Sequence, residues 1–236
     1  MGSDNLHHKK RKGRVERCSS KFREYRNSIL IICEGEKTEK LYFKSFPVTG
    51  VQVKTIGTGR NTESLVDEAV KIWKEFAEMD ELYEKLWCVF DRDSFSQKAY
   101  NNTFNKIVKQ ERTINRKYKG RRGDRKIKIS IAYSNQDFEL WYLLHFDYFD
   151  QALHRDMYHG LLTKRMKKKY QKNDSGMYIF FEKLCHETQG AKGQAFALKN
   201  AEKLRKSIPD GTLPHNHNPS TSVDLLVAEL NKYLKR

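Results

Sequence analysis

The chain has 236 residues, which suits one domain, and its 46 Lys+Arg against 30 Asp+Glu leave a net charge of +16 that calls for a polyanionic partner. Only 38% of residues are hydrophobic, although aromatics at 12% bring large apolar areas to a modest core. No apolar run reaches the roughly 18 residues of a membrane span, and the basic N-terminus lacks a secretory apolar stretch, so a cytoplasmic protein is expected and membrane proteins are set aside.

Residues 1–27 are polar and aperiodic, the pattern of a flexible basic arm. Ser28–Cys33 (SILIIC) is a continuous apolar run of strand length, as expected of a strand covered on both faces. Residues 38–46 read as a short helix closed by Pro47, and 51–56 as a second strand ended by Gly57-Thr58-Gly59. Residues 62–79 form a long helix with Leu65, Val66, Ala69, Val70, Trp73 and Phe76 on one stripe. A third strand falls at 86–90, a basic helix or loop at 97–125, a fourth strand at 127–133 and a helix start at 138–146. The remainder is helical in pattern, and Asn218-Pro219-Ser220-Thr221 announces the last helix, with Asn as cap and Pro in its first turn. This alternation predicts an α/β fold. A parallel sheet of about four strands flanked by helices occupies 28–150, and a helical C-terminal region over 151–236 packs on it.

The excess charge is concentrated. Residues 9–26 carry nine Lys/Arg and two Glu, and residues 106–128 carry eleven Lys/Arg and two acids. Nucleic acid is the first candidate partner, with Arg116, Lys117, Lys119, Arg121, Arg122, Arg125 and Lys126 as phosphate contacts. Solvated, mobile basic segments are the plainer alternative; an anionic membrane surface is less favoured, because neither segment has a sustained amphipathic stripe. The second segment follows the third strand directly, which predicts that its bound phosphates lie near that strand's end.

Functional groups in open α/β sheets collect beyond the carboxyl ends of the strands. The first strand runs into Glu34-Gly35-Glu36-Lys37 and the third into Asp91-Arg92-Asp93. If those strands are neighbours, Glu34, Asp91 and Asp93 converge, and their repulsion would be relieved by a hard divalent cation, Mg²⁺ or Mn²⁺. Helix capping is the alternative for each acid taken singly. Glu36 and Lys37 are accessory candidates: Lys37 could meet a phosphate or pair with Glu36. Asn135 could cap the helix after the fourth strand or serve the site, and Glu139, one turn into that helix, is a candidate outer ligand or orienting group. Gly57-Thr58-Gly59-Arg60-Asn61 has the form of a phosphate-approaching turn before a helix. His215-x-His217 reads as a polar loop, and Cys18, Cys33, Cys88 and Cys185 lack CxxC spacing and read as reduced thiols. No GxSxG, Walker or GxGxxG motif occurs.

The strings Ile31-Ile32-Cys33-Glu34-Gly35-Glu36-Lys37-Thr38-Glu39, Val89-Phe90-Asp91-Arg92-Asp93, Tyr133-Ser134-Asn135 through Trp141 and Asn218-Pro219-Ser220-Thr221-Ser222-Val223 resemble the RloB-like family, itself similar to Toprim-domain proteins. The resemblance spans residues 29 to about 227. It implies a Toprim-like Mg²⁺ site with Glu34 as the Toprim Glu and Asp91 and Asp93 as its Asp-x-Asp. It further implies a nuclease, acting on tRNA, other RNA or DNA, in abortive-infection defence against phage, together with an ABC/SMC-type ATPase. Phe180, Phe181 and Leu184 are candidate contacts for that ATPase, or plain core. A non-catalytic nucleic-acid-binding or regulatory subunit of an ATPase complex, and a primase-like nucleotidyl transferase, are the alternatives.

Overall fold

A computed structural model describes residues 27–59, 62–92, 96–118, 126–172, 174, 176–178, 180 and 193–235. The basic arm before Asn27 lies outside these residues, as do Cys18 and Cys185. The elements in chain order are β1 (Ser28–Cys33), α1 (Thr38–Lys44), β2 (Gln52–Gly57), α2 (Thr62–Glu78), β3 (Lys85–Asp91), α3 (Gln97–Lys117), β4 (Lys128–Asn135), α4 (Glu139–Leu143), α5 (Asp156–Met166), α6 (Gln194–Lys206), β5 (Ser220–Thr221) and α7 (Val223–Asn231). The sheet order is β2-β1-β3-β4-β5, parallel except for the short antiparallel β5.

β1 is buried along its whole length because its two faces enter different cores. Ile29, Ile31 and Cys33 face the side covered by α1, α4, α6 and α7, among Phe43, Val89, Trp141, Ala201 and Leu226. Leu30 and Ile32 face α2 and α3, among Leu65, Trp73, Phe90 and Tyr100. A period of two thus turns one apolar run into two half-cores. The stripe on α2 is buried as its spacing requires, with Phe76 partly covered. Cys33 and Cys88 are free thiols, and burial pushes both above the ordinary thiol range, so they serve as small core residues.

Three expectations are corrected. Asn218-Pro219-Ser220-Thr221 does not open the last helix: Ser220 and Thr221 pair with Asn135 and Ser134 as a fifth strand, and α7 begins at Val223 after Ser222. The hydroxyls decide this, because Ser222 Oγ accepts from Tyr133 N–H (2.9 Å) and Thr221 Oγ1 donates to Tyr133 O (3.0 Å). Asn135 does not cap α4, whose N-cap is Phe138; it ends β4, fully buried, with Nδ2 donating to His215 O (3.5 Å).

The third correction concerns the basic segment. A crossover between parallel strands must carry the chain back to the edge from which it started. Lys128, at the start of β4, pairs with Lys85 at the start of β3. The N–H of Ile127 donates to Asn115 Oδ1 (2.8 Å) and that of Ile129 to Glu111 Oε2 (2.7 Å), which ties the end of α3 to this amino edge. Arg116, Lys117 and Lys126 therefore sit about 20 Å, the length of a seven-residue strand, from the edge that carries Glu34 and Asp91. Lys119, Arg121, Arg122 and Arg125 lie outside the described residues.

Candidate functional site

β1 has β2 on one side and β3 on the other, so the direction of winding reverses at β1/β3, where open sheets form a crevice at the carboxyl edge. Glu34 and Asp91 meet there. Glu34 N–H donates to Val89 O (2.8 Å), and its carbonyl accepts from Gly59 N–H (2.9 Å), extending the ladder one step beyond β1 on both sides. Its side chain then reaches across, Oε2 accepting from Asp91 N–H (3.2 Å). The glycines allow this closeness. A Cβ on Gly35 would overlap the Glu39 carboxylate, and one on Gly57 would lie 2.6 Å from the Gly35 carbonyl oxygen.

More carboxylates crowd the same edge. The Phe138 N–H donates to both Asp91 Oδ2 (3.1 Å) and Asp137 Oδ1 (3.0 Å), so those oxygens share one amide hydrogen. Burial, and then the charges of Asp137, Glu39, Glu139 and Glu34, push the Asp91 carboxyl well above the usual carboxylate range. Burial and the neighbouring Glu139 raise Asp137 too, against Lys172 and Arg155. Burial would also raise Glu139, but hydrogen bonds from His159, Asp137 and Tyr170 and the charge of Lys172 outweigh it and hold Glu139 well below the usual range. Asp137 and Glu139 are thus pushed in opposite directions and titrate as a pair.

The compensating groups come from distant sequence. Tyr170 OH donates to Glu139 Oε1 (2.7 Å), His159 Nε2 lies 3.5 Å from the same oxygen, and Lys172 Nζ stands 3.5 Å from Asp137 and 3.9 Å from Glu139. Arg155 Nε is 3.8 Å from Asp137. Thr38 Oγ1 donates to Lys172 O (2.6 Å), which ties this segment to the start of α1, beside the Glu34 turn.

The donor set fits a hard divalent cation. It is rich in carboxylate oxygen, and Glu139 Oε2 is buried without a hydrogen-bond partner among the described residues. Ligand atoms of Asp137, Glu139 and His159 lie within 4.8 Å of one another, a spacing one ion could bridge. Sequence reasoning brought Glu34, Asp91 and Glu139 to this edge; Asp93 lies outside the described residues. Glu36 is exposed and folds over the β2 turn, near enough that a Cβ on Gly59 would lie 2.9 Å from its Oε1. Lys37 is exposed at the N-cap of α1. Arg60 and Asn61 of the proposed phosphate turn lie outside the described residues. His215, expected in a polar loop, lies buried in a short 3-10 turn (Pro214–Asn216), with Nδ1 2.9 Å from Asn101 Nδ2. Asp137, Glu39, His159, Tyr170 and Lys172 were missed. Only the acids gave a signal, Asp137 lying two residues from Glu139 and Glu39 five residues from Glu34; nothing local marks the others.

An α/β protein with a carboxylate-lined crevice at its switch point is the class that fold and site define. The RloB-like protein family matches residues 29–230, and the chain belongs to it. No curated protein and no solved structure matches the chain. Among the described residues no helix is long and apolar enough to cross a membrane.

Proposed function

We propose that the protein is a Toprim-like, metal-dependent nuclease. The observation that carries this reading is the junction of Glu34 with Asp91 at the β1/β3 crevice, inside a ring of like charges. Glu34, Asp91 and Asp93 would hold Mg²⁺ or Mn²⁺, with Asp137 and Glu139 beside them. Bound there, such an ion neutralises charge at a scissile phosphate and favours ionisation of an attacking water. The chain's own groups supply the rest. Lys172 Nζ and Arg155 Nε offer positive charge beside the carboxylates, where a phosphate would otherwise be repelled. His159, about half exposed, has its pKa raised by its hydrogen bond to Glu139 and can hold a proton at Nε2 for a leaving oxygen. A role in phage defence beside an ATPase follows from the family resemblance. Of the residues named for that contact, Phe180 packs partly buried against the core, and Phe181 and Leu184 lie outside the described residues.

One observation favours a second reading, a binding or regulatory subunit: Lys172, Arg155 and His159 already offset Asp137 and Glu139 without an ion. The full chain, incubated with tRNA, single-stranded DNA and duplex DNA in Mg²⁺, Mn²⁺ or chelator, separates the two. Cleavage that needs metal and is lost in folded Asp91→Asn and Glu34→Gln variants is the expected result. Wild-type rates in both variants refute the site; no cleavage of any substrate favours the binding subunit.

A further inference from the structure

The exposed face of α3 carries a charge pattern that the site does not use. Lys98, Asn102, Asn105, Lys109, Arg112 and Arg116 recur at steps of three and four and are all exposed, so they form one stripe. At 1.5 Å per residue that stripe is about 27 Å long. It starts two residues beyond Ser96, the N-cap on the Asp91 side of the sheet, and ends at the amino edge. No acid lies on it: Glu111, the helix's one acid, is turned to the sheet and accepts from Ile129 N–H (2.7 Å). Lys106 is excluded as well, since it pairs with Asp67 on α2 (2.5 Å). Arg116 and Lys117 complement the helix C-terminus. Lys109 and Arg112 have no such reason, and at these spacings Lys109, Arg112 and Arg116 repel one another.

We infer that this stripe is a track for the backbone of double-helical nucleic acid, leading from the carboxylate crevice toward the amino edge. The inference rests on the nucleic-acid part of the function proposed above and gives it a substrate class: a duplex of about one turn or more, because one turn is roughly 34 Å and the stripe nearly matches it. A polyanion removes the repulsion along the stripe, and phosphate contacts of this kind position a duplex without reading its bases. Single strands fit less well, because they are gripped by stacked aromatic rings. The rings of α3, Tyr100 and Phe104, are turned into the core, and Tyr118 at its end is buried with them.

The test is equilibrium binding of the full chain in chelator, with salt titrations, to a 20-base-pair duplex, a 6-base-pair duplex and a 20-nucleotide single strand. Replacing Lys109, Arg112 and Arg116 together by Gln should weaken 20-base-pair binding at least tenfold and lower its log–log salt slope by about two to three. The 6-base-pair duplex and the single strand should change less than threefold. Circular dichroism checks the fold, and Lys98→Gln alone, at the other end of the stripe, should lower the slope by about one if the triple variant is unstable. An unchanged slope with the 20-base-pair duplex overturns the inference. So does an equal loss with the single strand, or displacement of the duplex by polyglutamate at equal charge, which would indicate an acidic protein partner. No step needs cleavage. A protein that never cuts yet shows the α3-dependent slope keeps the track and removes the nuclease, and a nuclease with an α3-independent slope does the reverse.

Discussion

The two ends of one parallel sheet treat charge in opposite ways. At the amino edge the acids face lysines: Glu229 meets Lys85 (2.6 Å) and Lys232 (2.8 Å), and Glu111 accepts the Ile129 N–H while facing Lys128 (3.5 Å). At the carboxyl edge Asp91 lies among Glu34, Glu39, Asp137 and Glu139, whose charges add to burial in raising its pKa, with Lys172, Arg155 and His159 beside Asp137 and Glu139. Acids that each face a cation need nothing further. An edge of buried like charges is stable only if something else is gained there, and such arrangements mark functional sites. The carboxyl edge should therefore respond to mutation in activity as well as in stability, and the amino edge in stability alone.

The largest expected effect breaks that contrast if it is absent. Glu139→Gln keeps size and packing but removes the charge that orders His159, Lys172 and Tyr170. Metal-dependent cleavage should fall at least about 100-fold, and thermal stability in chelator should fall as well, because the folded protein favours the ionised form of Glu139. A loss of stability without loss of activity would make Glu139 a purely structural acid. The readouts are initial rates in Mg²⁺ and melting in chelator.

Glu34 and Asp91 were legible because strand-end chemistry is local. An apolar run of strand length followed by an acid and a glycine places the acid at an edge, and alternation places the edge opposite the helices' return. The strand order was needed to bring them together, and the sequence does not state it. His159, Tyr170 and Lys172 come from α5 and the segment after it, whose residues show no periodicity that singles them out. Ser220 and Thr221 misled because Asn-Pro-Ser-Thr satisfies helix-start chemistry and an edge strand equally well; the buried partners Tyr133 and Ser134, some 87 residues away, decide between them. The basic segment differs for another reason: adjacency in sequence to Asp91 does not bring adjacency in space, because α3 carries the chain to the other edge, where Arg116, Lys117 and Lys126 lie.

The pH response should sharpen the contrast next. The folded-state pKa of Asp137 is raised, by burial and Glu139, so folding takes up a proton. That contribution is present in full below the ordinary Asp value of about 4 and is lost as pH rises toward the raised value. Asp137→Asn should therefore flatten the fall in stability between about pH 5 and pH 8 seen in wild type in chelator. Denaturant titrations of both proteins at matched pH values measure it; parallel pH curves would show that Asp137 is not protonated on folding.

Removing a compensating cation should act more weakly. Lys172→Met leaves Asp137 and Glu139 facing each other, with Arg155 and His159 beside them among the described residues. A fully buried ion pair broken in this way loses roughly 3–5 kcal/mol, but the Lys172 side chain is 39% exposed, so solvent screening reduces the expected loss to about 1–2 kcal/mol. Added Mg²⁺ should recover part of it if the carboxylates accept the ion, and the shift in melting temperature with metal is the readout.

The smallest effect belongs to the amino edge. Glu229 is held below the usual carboxylate range: burial would raise it, but Lys232 and Lys85 outweigh burial. Its contribution is thus present above the unfolded value of about 4.3 and lost as pH falls through the lower folded value, the opposite sense to Asp137. Lys85 is 30% and Glu229 13% exposed at the side chain, and Lys85 Nζ also lies 3.3 Å from Tyr233 OH. A pair this close to solvent contributes about 1 kcal/mol or less. Glu229→Gln should lower stability by that amount at pH 7, lose the difference near pH 3, and leave cleavage and duplex binding unchanged. If Glu229→Gln instead reduced cleavage as far as Glu139→Gln does, the two edges would be energetically coupled through β3, and the division of labour along the sheet would not hold.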